Sequence, residues 1–598
     1  MSPASRVESA AVNNGSASIE LRGLEGGLPL AGPIDLNEIA AAAERATQLE
    51  RDMPFWEAVK LFRRAIISVV VVLVSIVGEG FGSALTNSLF AQESFNEKFG
   101  VCVDGKWDVP ARWKSAMEIA PVGGEIVGLL ISGCLVDVWG FRKTMMCSLA
   151  FMIAAVFIPF FAESPEVLVV SLVVAGIPWG AFQTIAPTYS SEVLPQAIRG
   201  ILATSVNICW LLGQLICQLV LARFVFREDQ WAYKIPFAIQ WAFFVFALPA
   251  VYFSPESPWY HVRKGNAEAA RAALLRLASG HYPGFNGDDT IAMYRYTDEM
   301  EKKSSAGSSY LDCFRGVDLR RTEVVGCSWL SQTFVGSTMM YFGTYFYIRN
   351  GITAERAYQL GCGQYVVGIL ASLCAMGLMN RFGRRTIYLA GGCALFALLM
   401  IIGFTGLSAG TGGQWATSSM LLVYTFVYNL TIGPVCYSII SEMPSSRLKS
   451  KTIALARMQY NLGSIVVSIL TAYQLTAKPE GWNWGAFTGF FYAGLCAIAV
   501  VWMYFRLPES RRRGYAELDL LFGKKISARH FAAATVDLVA ETVTLSPTRH
   551  RRGRRHNEVK GKGKGREPGS AGDGAVPKGS HEAPGTSGAM SGPLASPV

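Results

Sequence analysis

The sequence predicts an all-α membrane protein of twelve spanning helices, arranged as two pseudo-symmetric halves of six. Three observations carry that prediction. The 598 residues are 51% hydrophobic and only 16% charged, where soluble proteins carry about 25% charged residues. Apolar stretches follow one another along the chain, each near the about 20 residues that a helix needs to cross a bilayer. A polar motif that closes one stretch in the first half returns, altered, in the second.

The stretches lie at 66–91, 117–136, 144–161, 166–191, 201–222, 235–253, 323–348, 358–379, 386–407, 416–441, 452–475 and 485–505. A single short run, such as 117–136, is compatible with a buried helix of a soluble protein. Twelve in succession argue against that. Residues 1–55 are rich in Ala, Gly, Ser and Glu with little periodicity, and are expected to be disordered. The first half is placed at 56–253, opened by an amphipathic lead-in from Phe55 to Arg64. A polar insert at 254–322 divides the halves, and Ala267 to Leu277 within it reads as an amphipathic helix on the cytoplasmic surface. The second half covers 323–505. A tail at 506–598 follows, mostly disordered by expectation and of Gly/Lys/Arg/Pro/Ser low complexity from about 546.

The net charge of +10 invites a nucleic-acid reading, but the cations sit at alternate loops and in the tail, so no nucleic-acid partner is expected. Lys60, Arg63 and Arg64 precede the first stretch. Arg142, Lys143, Arg199, Arg381, Arg384, Arg385, Arg447, Lys449 and Lys451 fall at loops on that same side. Cations mark the cytoplasmic face, so both termini are expected there, with the plasma membrane as the site. The basic runs of the tail fit a solvated segment near anionic lipid. The 12 cysteines follow no ligand spacing, so neither a metal nor a disulfide framework is expected. The first sixty residues show no apolar core of a secretory signal. With no nucleotide loop, catalytic triad or metal cluster in the sequence, an enzyme and a cofactor are not expected.

The repeated motif begins at Pro178 and ends in Tyr189, Glu192, Pro195 and Arg199. Its second copy holds Pro434, Tyr437, Glu442, Pro444, Arg447 and Lys449, and in both a cation stands seven residues after the glutamate. Charges at a membrane face are costly unless paired and usually mark a working part. Repetition between two apolar halves is the pattern of transporters built by duplication. A second pair of motifs closes the second and eighth stretches: Asp137, Gly140, Arg142 and Lys143, then Asn380, Arg381, Gly383, Arg384 and Arg385. Two readings stand side by side. Asp137, Arg142, Glu192, Arg199, Arg384, Arg385, Glu442, Arg447 and Lys449 form ion pairs that close a cytoplasmic gate, or they are loop charges that only set topology.

These motifs, with Pro255-Glu256-Ser257-Pro258 and Pro508-Glu509-Ser510, resemble the sugar porter family of the major facilitator superfamily. Glu79-Gly80-Phe81, Gly124-Glu125, Pro178-Trp179-Gly180, Asn207, Gln240-Trp241, Cys436-Tyr437 and Trp482-Asn483-Trp484 look most like its fungal α-glucoside permeases, over about 55–522. The resemblance implies a twelve-helix major facilitator fold, alternating access, a sugar substrate and the lipid bilayer as surroundings. It also implies a sugar pocket. Gln332, Thr333 and Thr338 occupy the seventh-stretch motif, where the second Gln and the Asn of the family are both Thr. Tyr437 stands where hexose porters have Trp, Asn207 where they have Gln, and Asn461 at a matching polar site. Amides and hydroxyls suit sugar OH groups, and an aromatic face suits a pyranose ring. Single polar residues in spans also serve as interhelical glue.

Glu79 and Glu125 lie inside spans, where an ionised carboxylate is expensive. Each is a candidate proton carrier or a structural hydrogen-bonding group. The α-glucoside permeases read Glu-Gly-Tyr-Asp in the first span, and this chain reads Glu79-Gly80-Phe81-Gly82. The function expected from the resemblance is therefore α-glucoside uptake with protons as a candidate co-substrate. An uncoupled facilitator and a sugar receptor are the alternatives.

Overall fold

The computed structural model describes residues 36–545, apart from 104–105, 280–281, 306–308, 409, 446–447, 512, 514 and 538–541. Among them, eleven helices are long and apolar enough to cross a bilayer. In chain order, spans 1 to 6 are Arg63–Leu89, Ala111–Trp139, Phe141–Phe160, Pro165–Val193, Gln196–Phe224 and Trp231–Phe253. Spans 8 to 12 are Ala354–Arg381, Arg384–Thr405, Thr411–Glu442, Lys449–Leu475 and Thr488–Arg506.

Span 7 is the one predicted stretch absent from these eleven. It runs as three pieces, Gly316–Phe334, Ser337–Tyr341 and Gly343–Arg349. Gly336 takes φ +100°, a conformation open to Gly and strained for other residues. Broken backbone at membrane depth must find partners inside the protein. Here Tyr424 of span 10 donates to the Val335 carbonyl at 2.8 Å and Gln364 of span 8 to the Met340 carbonyl at 3.0 Å.

The two halves repeat one packing scheme. Spans 2 and 4, 1 and 5, and 3 and 6 pack in the first half; 8 and 10, 7 and 11, and 9 and 12 pack in the second. Between halves, span 2 meets span 11 and span 5 meets span 8. Adding six to each member of the first contact gives the second, counted cyclically, which is the mark of a pseudo-twofold axis along the membrane normal. The seam between spans 2 and 4 depends on small residues. A Cβ on Gly128 would lie 2.0 Å from the Ile177 carbonyl oxygen, and one on Gly180 2.3 Å from that of Glu125. Close backbone approach of this kind replaces the hydrophobic drive that helices lack in lipid. Outward-facing Leu130, Phe246, Leu370 and Ile498 are all more than half exposed, as a lipid-facing belt requires.

The segment joining spans 6 and 7 marks one end of the bundle, hereafter the linker end. It holds helices Pro258–Arg263, Ala267–Leu277 and Gly287–Ser305. The apolar face of Ala267–Leu277 is buried at Ala270, Ala273, Leu274 and Leu277, and the helix packs on its two linker neighbours. Three expected boundaries shift. Span 7 starts at Gly316 rather than 323, because Arg321 and Glu323, which read as loop charges, find ion-pair partners in Asp519 and Arg506. Within 1–55, expected to be disordered, Leu36–Asp52 is a helix. Its Ala-rich run favours helix, and Arg45 pairs with Asp289 of the linker at 3.2 Å. Within the tail, Tyr515–Gly523 is helical and strands Ala534–Asp537 and Thr542–Leu545 pair antiparallel. Buried Leu518, Leu521, Phe522 and Phe531 hold that part down. Residues 1–35 and 546–598 lie outside the described residues.

Candidate functional site

A cavity of about 100 Å³ lies between the halves. Spans 1, 2, 4 and 5 wall one side and spans 7, 8 and 11 the other. Its lining mixes rings (Trp210, Tyr341, Tyr365, Tyr460) with hydroxyls and amides (Thr338, Asn461, Ser464, Ser468) and with Glu118, Glu125 and Arg457. The Trp210 and Tyr341 rings meet edge-on across the two halves at 6.0 Å. Apolar faces beside convergent polar groups are what a polyhydroxylated ring needs.

A hydrogen-bonded chain runs along the wall from one half to the other. Gln183 of span 4 donates to Glu79 of span 1 at 2.6 Å. The Gln183 carbonyl oxygen accepts from the guanidinium of Arg457 on span 11. Arg457 stands 3.7 Å from Glu125 of span 2, and its guanidinium lies 5.3 Å from the Trp329 ring and 5.0 Å from that of Tyr460. Among the described residues, Arg457–Glu125 is the ion pair that joins the halves. The second Glu79 oxygen is buried without a partner.

The six residues expected to bind sugar separate into two groups. Thr338 and Asn461 line the cavity, and the Asn461 amide nitrogen is buried with no partner. Gln332, Thr333, Tyr437 and Asn207 lie behind it. Gln332 accepts from the Tyr428 hydroxyl at 3.1 Å, and the Tyr437 ring packs edge-on against Trp329 at 6.3 Å. Thr333 is 1% exposed. Asn207 donates across the halves to Ser372 at 3.0 Å and Asn429 at 3.4 Å, which is the interhelical-glue role.

The end of the bundle opposite the linker is tied shut across the halves. Lys114, at the start of span 2 and fully buried, pairs with Asp108 at 2.6 Å and donates to the Tyr345 hydroxyl at 2.6 Å. Its ammonium also lies 4.1 Å from the Tyr345 ring centre. Tyr358 donates to the Ser88 carbonyl at 2.8 Å, and the Phe90 and Phe342 rings stack.

At the linker end, the candidate gate charges are partnered inside their own halves. Glu192 pairs with Arg263 at 2.7 Å and accepts from Ser257. Glu442 pairs with Arg384 at 2.8 Å and accepts from Ser510 at 2.6 Å. Glu256 accepts from the backbone N–H of Phe141 and Arg142 at 3.0 and 3.1 Å, and Glu509 from that of Arg384 at 2.8 Å. The two clusters are copies of one design: a Glu-Ser pair after the sixth span of each half clamps the loop after the second and the end of the fourth. Arg385 donates to the Tyr504 carbonyl at 2.7 Å, Asp137 is exposed, and Lys449 is the first residue of span 11. Arg447 and the Arg199 side chain lie outside what is described.

Comparison with known proteins assigns the whole bundle. The family model "Sugar (and other) transporter" matches residues 67–522. The chain belongs to this sugar transporter family. An alpha-glucosides permease of Saccharomyces cerevisiae is 36% identical over 503 residues, covering 83% of each chain. A maltose permease of the same yeast is 34% identical over 511 residues, covering 84% of this chain and 83% of its own. Among solved structures, the proton:xylose symporter XylE aligns with a TM-score of 0.63 at 18% identity, over 77% of this chain and 99% of that one. An inward-open form of XylE from E. coli aligns with a TM-score of 0.60. The protein is thus a multi-pass membrane sugar transporter with the twelve-helix major facilitator fold. Its relatives are permeases, not enzymes.

Against its family, one departure stands out. At Gly82, where the resemblance places an acid, a Cβ would come within 2.6 Å of the Trp179 ring, itself 2% exposed. Trp179 fills that space. Three cavity residues also escaped the sequence reading: Gln183, Arg457 and Glu118. A charge inside an apolar span was the available signal for the last two. For Gln183 the sequence held none, because an amide in a span looks the same whether it bridges two charges or merely holds two helices.

Proposed function

We propose that this transporter takes up α-glucosides, maltose-type sugars first, by alternating access coupled to protons. The linker end faces the cytoplasm of a cell whose plasma membrane holds the protein. The observation that carries this reading is the chain Glu79–Gln183–Arg457–Glu125, which crosses between the halves along the cavity wall. Sugar enters while the Lys114 latch is undone, and its hydroxyls meet Thr338, Asn461 and Ser468 beside the aromatic rings. A proton on Glu125 removes the charge that holds Arg457, so the tie between spans 2 and 11 loosens in step with sugar binding. Closure of Lys114 on Asp108 and Tyr345 then accompanies opening at the linker end, where the ion pairs hold each half rigid as it rocks. The relatives' names support the sugar class.

Uncoupled facilitation is the second reading, and the filled space at Gly82 favours it. Uptake of radiolabelled maltose by cells without porters of their own separates the two. Coupled uptake is faster at low external pH, collapses with a protonophore, and is inhibited better by maltose than by glucose. Uptake indifferent to the protonophore leaves facilitation, and glucose winning the competition removes the α-glucoside assignment. Sugar binding with no flux at all leaves a receptor.

A further inference from the structure

We infer that Glu118 is a further proton carrier of this transporter, a carboxylate that faces the cavity and has no cation of its own. The inference rests on the coupled reading above and deepens it.

Glu118 lies on span 2, seven residues before Glu125, so two helical turns bring both onto one face. Both line the cavity. Glu118 is the nearer to the end opposite the linker, with the Asn87 side chain of span 1 beside it. No described cation comes within ion-pair distance of it. The charged and titratable groups around it are accounted for, span by span. On its own span, Lys114 is held by Asp108 at 2.6 Å, and Glu125 bears a like charge. Span 1 presents Glu79, which takes its hydrogen bond from Gln183. Span 4 contributes Leu172, Trp179 and Gln183 to the lining and no charge, and span 3 contributes nothing. Span 11 presents Tyr460 and Arg457, the latter spent on Gln183 and Glu125. Tyr341, Tyr365 and, from span 12, Tyr492 complete the set.

Glu79 and Glu125 therefore share one guanidinium at membrane depth through Gln183 and an ion pair, and Glu118 is a third carboxylate with no part in it. Carrying all three ionised through a closed state would be costly, since buried charges need partners. Glu125 has Arg457 and Glu79 has a strong amide donor. Glu118 has only Asn87, and it is the one placed to meet water from the end where the Lys114 latch opens. Its carboxylate takes one proton from water there, crosses as the neutral acid, and returns that proton to water on the linker side. This adds one positive charge moved inward with each sugar to the proton carried on Glu125.

The test uses full-length protein in proteoliposomes, with radiolabelled methyl α-glucoside as the probe. Glu118→Gln imitates the protonated acid permanently. It is expected to exchange sugar across the membrane still, to show a weaker decline of exchange at alkaline pH than wild type, and to let the accumulation ratio under an imposed pH gradient fall to about the square root of the wild-type value, since the proton on Glu125 remains. Glu118→Asp is expected to restore part of the accumulation. A Glu118→Gln protein that concentrates sugar as wild type does overturns the assignment alone. So does one that loses exchange together with accumulation, which marks Glu118 as a sugar-binding or structural group. A wild type that equilibrates sugar without concentrating it overturns both the assignment and the coupled reading.

Discussion

Arg457 is held from several directions: Gln183 from span 4, Glu125 from span 2, and the rings of Trp329 and Tyr460. Lysine cannot reproduce that contact, because the guanidinium is planar and stacks while it donates. Arg457→Lys is expected to lower uptake at least about tenfold, as loss of a buried charge contact predicts, with the protein still at the cell surface. Uptake within twofold of wild type would mean that charge alone matters there. Gly82 tests packing. Even Gly82→Ala pushes against Trp179, and overpacking of this kind costs roughly 1–3 kcal/mol. The melting temperature of the purified variant is expected to fall, and an unchanged value would show that Trp179 swings away freely. For the sugar, Asn461→Ala is expected to raise the dissociation constant about two- to tenfold, from a lost hydrogen bond of ~0.5–1.5 kcal/mol. Gln332 is turned toward Tyr428, so Gln332→Ala should affect stability more than affinity. Isothermal titration of both variants with maltose gives the comparison, and the reverse order would return Gln332 to the sugar.

At the scale of elements, each end of the bundle is braced by a different kind of contact. The linker end uses ion pairs within halves: Glu192 with Arg263, and Glu442 with Arg384. The other end uses contacts between halves, centred on Lys114. Intra-half pairs leave the halves free to separate, whereas a buried cation bridging both opposes separation. Lys114→Met removes the bridge and leaves Asp108 to the Tyr345 hydroxyl at 3.1 Å. Loss of one partner of a buried pair is worth about 3–5 kcal/mol, enough to move the equilibrium between the two orientations by more than a factor of ten. A cysteine placed at Thr338 is expected to react faster with a membrane-impermeant maleimide added from the side opposite the linker. If its rate is that of the parent, the latch does not govern this end. Span 7 is the element suited to transmit the change, because its break at Phe342 lies between the latch residue Tyr345 and the cavity residue Thr338, and its break at Gly336 lies just before Thr338.

For the whole molecule, the repeat of contacts under the pseudo-twofold axis makes two rigid units with one interface, and the cavity occupies that interface. Orientation in the membrane is the remaining variable. The cation-rich loops and the 254–322 linker share one end, which predicts that this end is cytoplasmic. A tag inserted between Phe95 and Gly100 is expected to be labelled in intact cells, and one inserted near Lys302 only after permeabilisation. Labelling of the second in sealed cells would invert the topology and with it the direction assigned to each gate.

Fold class and halves were legible from the chain because membrane spans declare themselves by length and apolarity, and duplication leaves motifs that need no structure to be compared. The clamps at the linker end were half legible: Glu192, Glu442 and the Glu-Ser pairs were visible, and their joining to one another through Ser257, Ser510 and Arg263 was not. Helical order at Leu36–Asp52 and in the tail was lost to sequence reading, because an Ala-rich stretch and one of only nine residues carry little periodicity until a packed neighbour supplies the other face. The site was least legible. Of the residues expected to hold sugar, only Thr338 and Asn461 reach the cavity, and its charged lining came largely from residues passed over. A helix of 3.6 residues per turn turns each side chain by about 100° from the last, so the sequence says which residues are polar in a span but not which of them face the partner half. That choice belongs to the packing. The glycine seam between spans 2 and 4 fixes how both helices are turned, and the contact of span 2 with span 11 brings Arg457 to Glu125 from more than three hundred residues away.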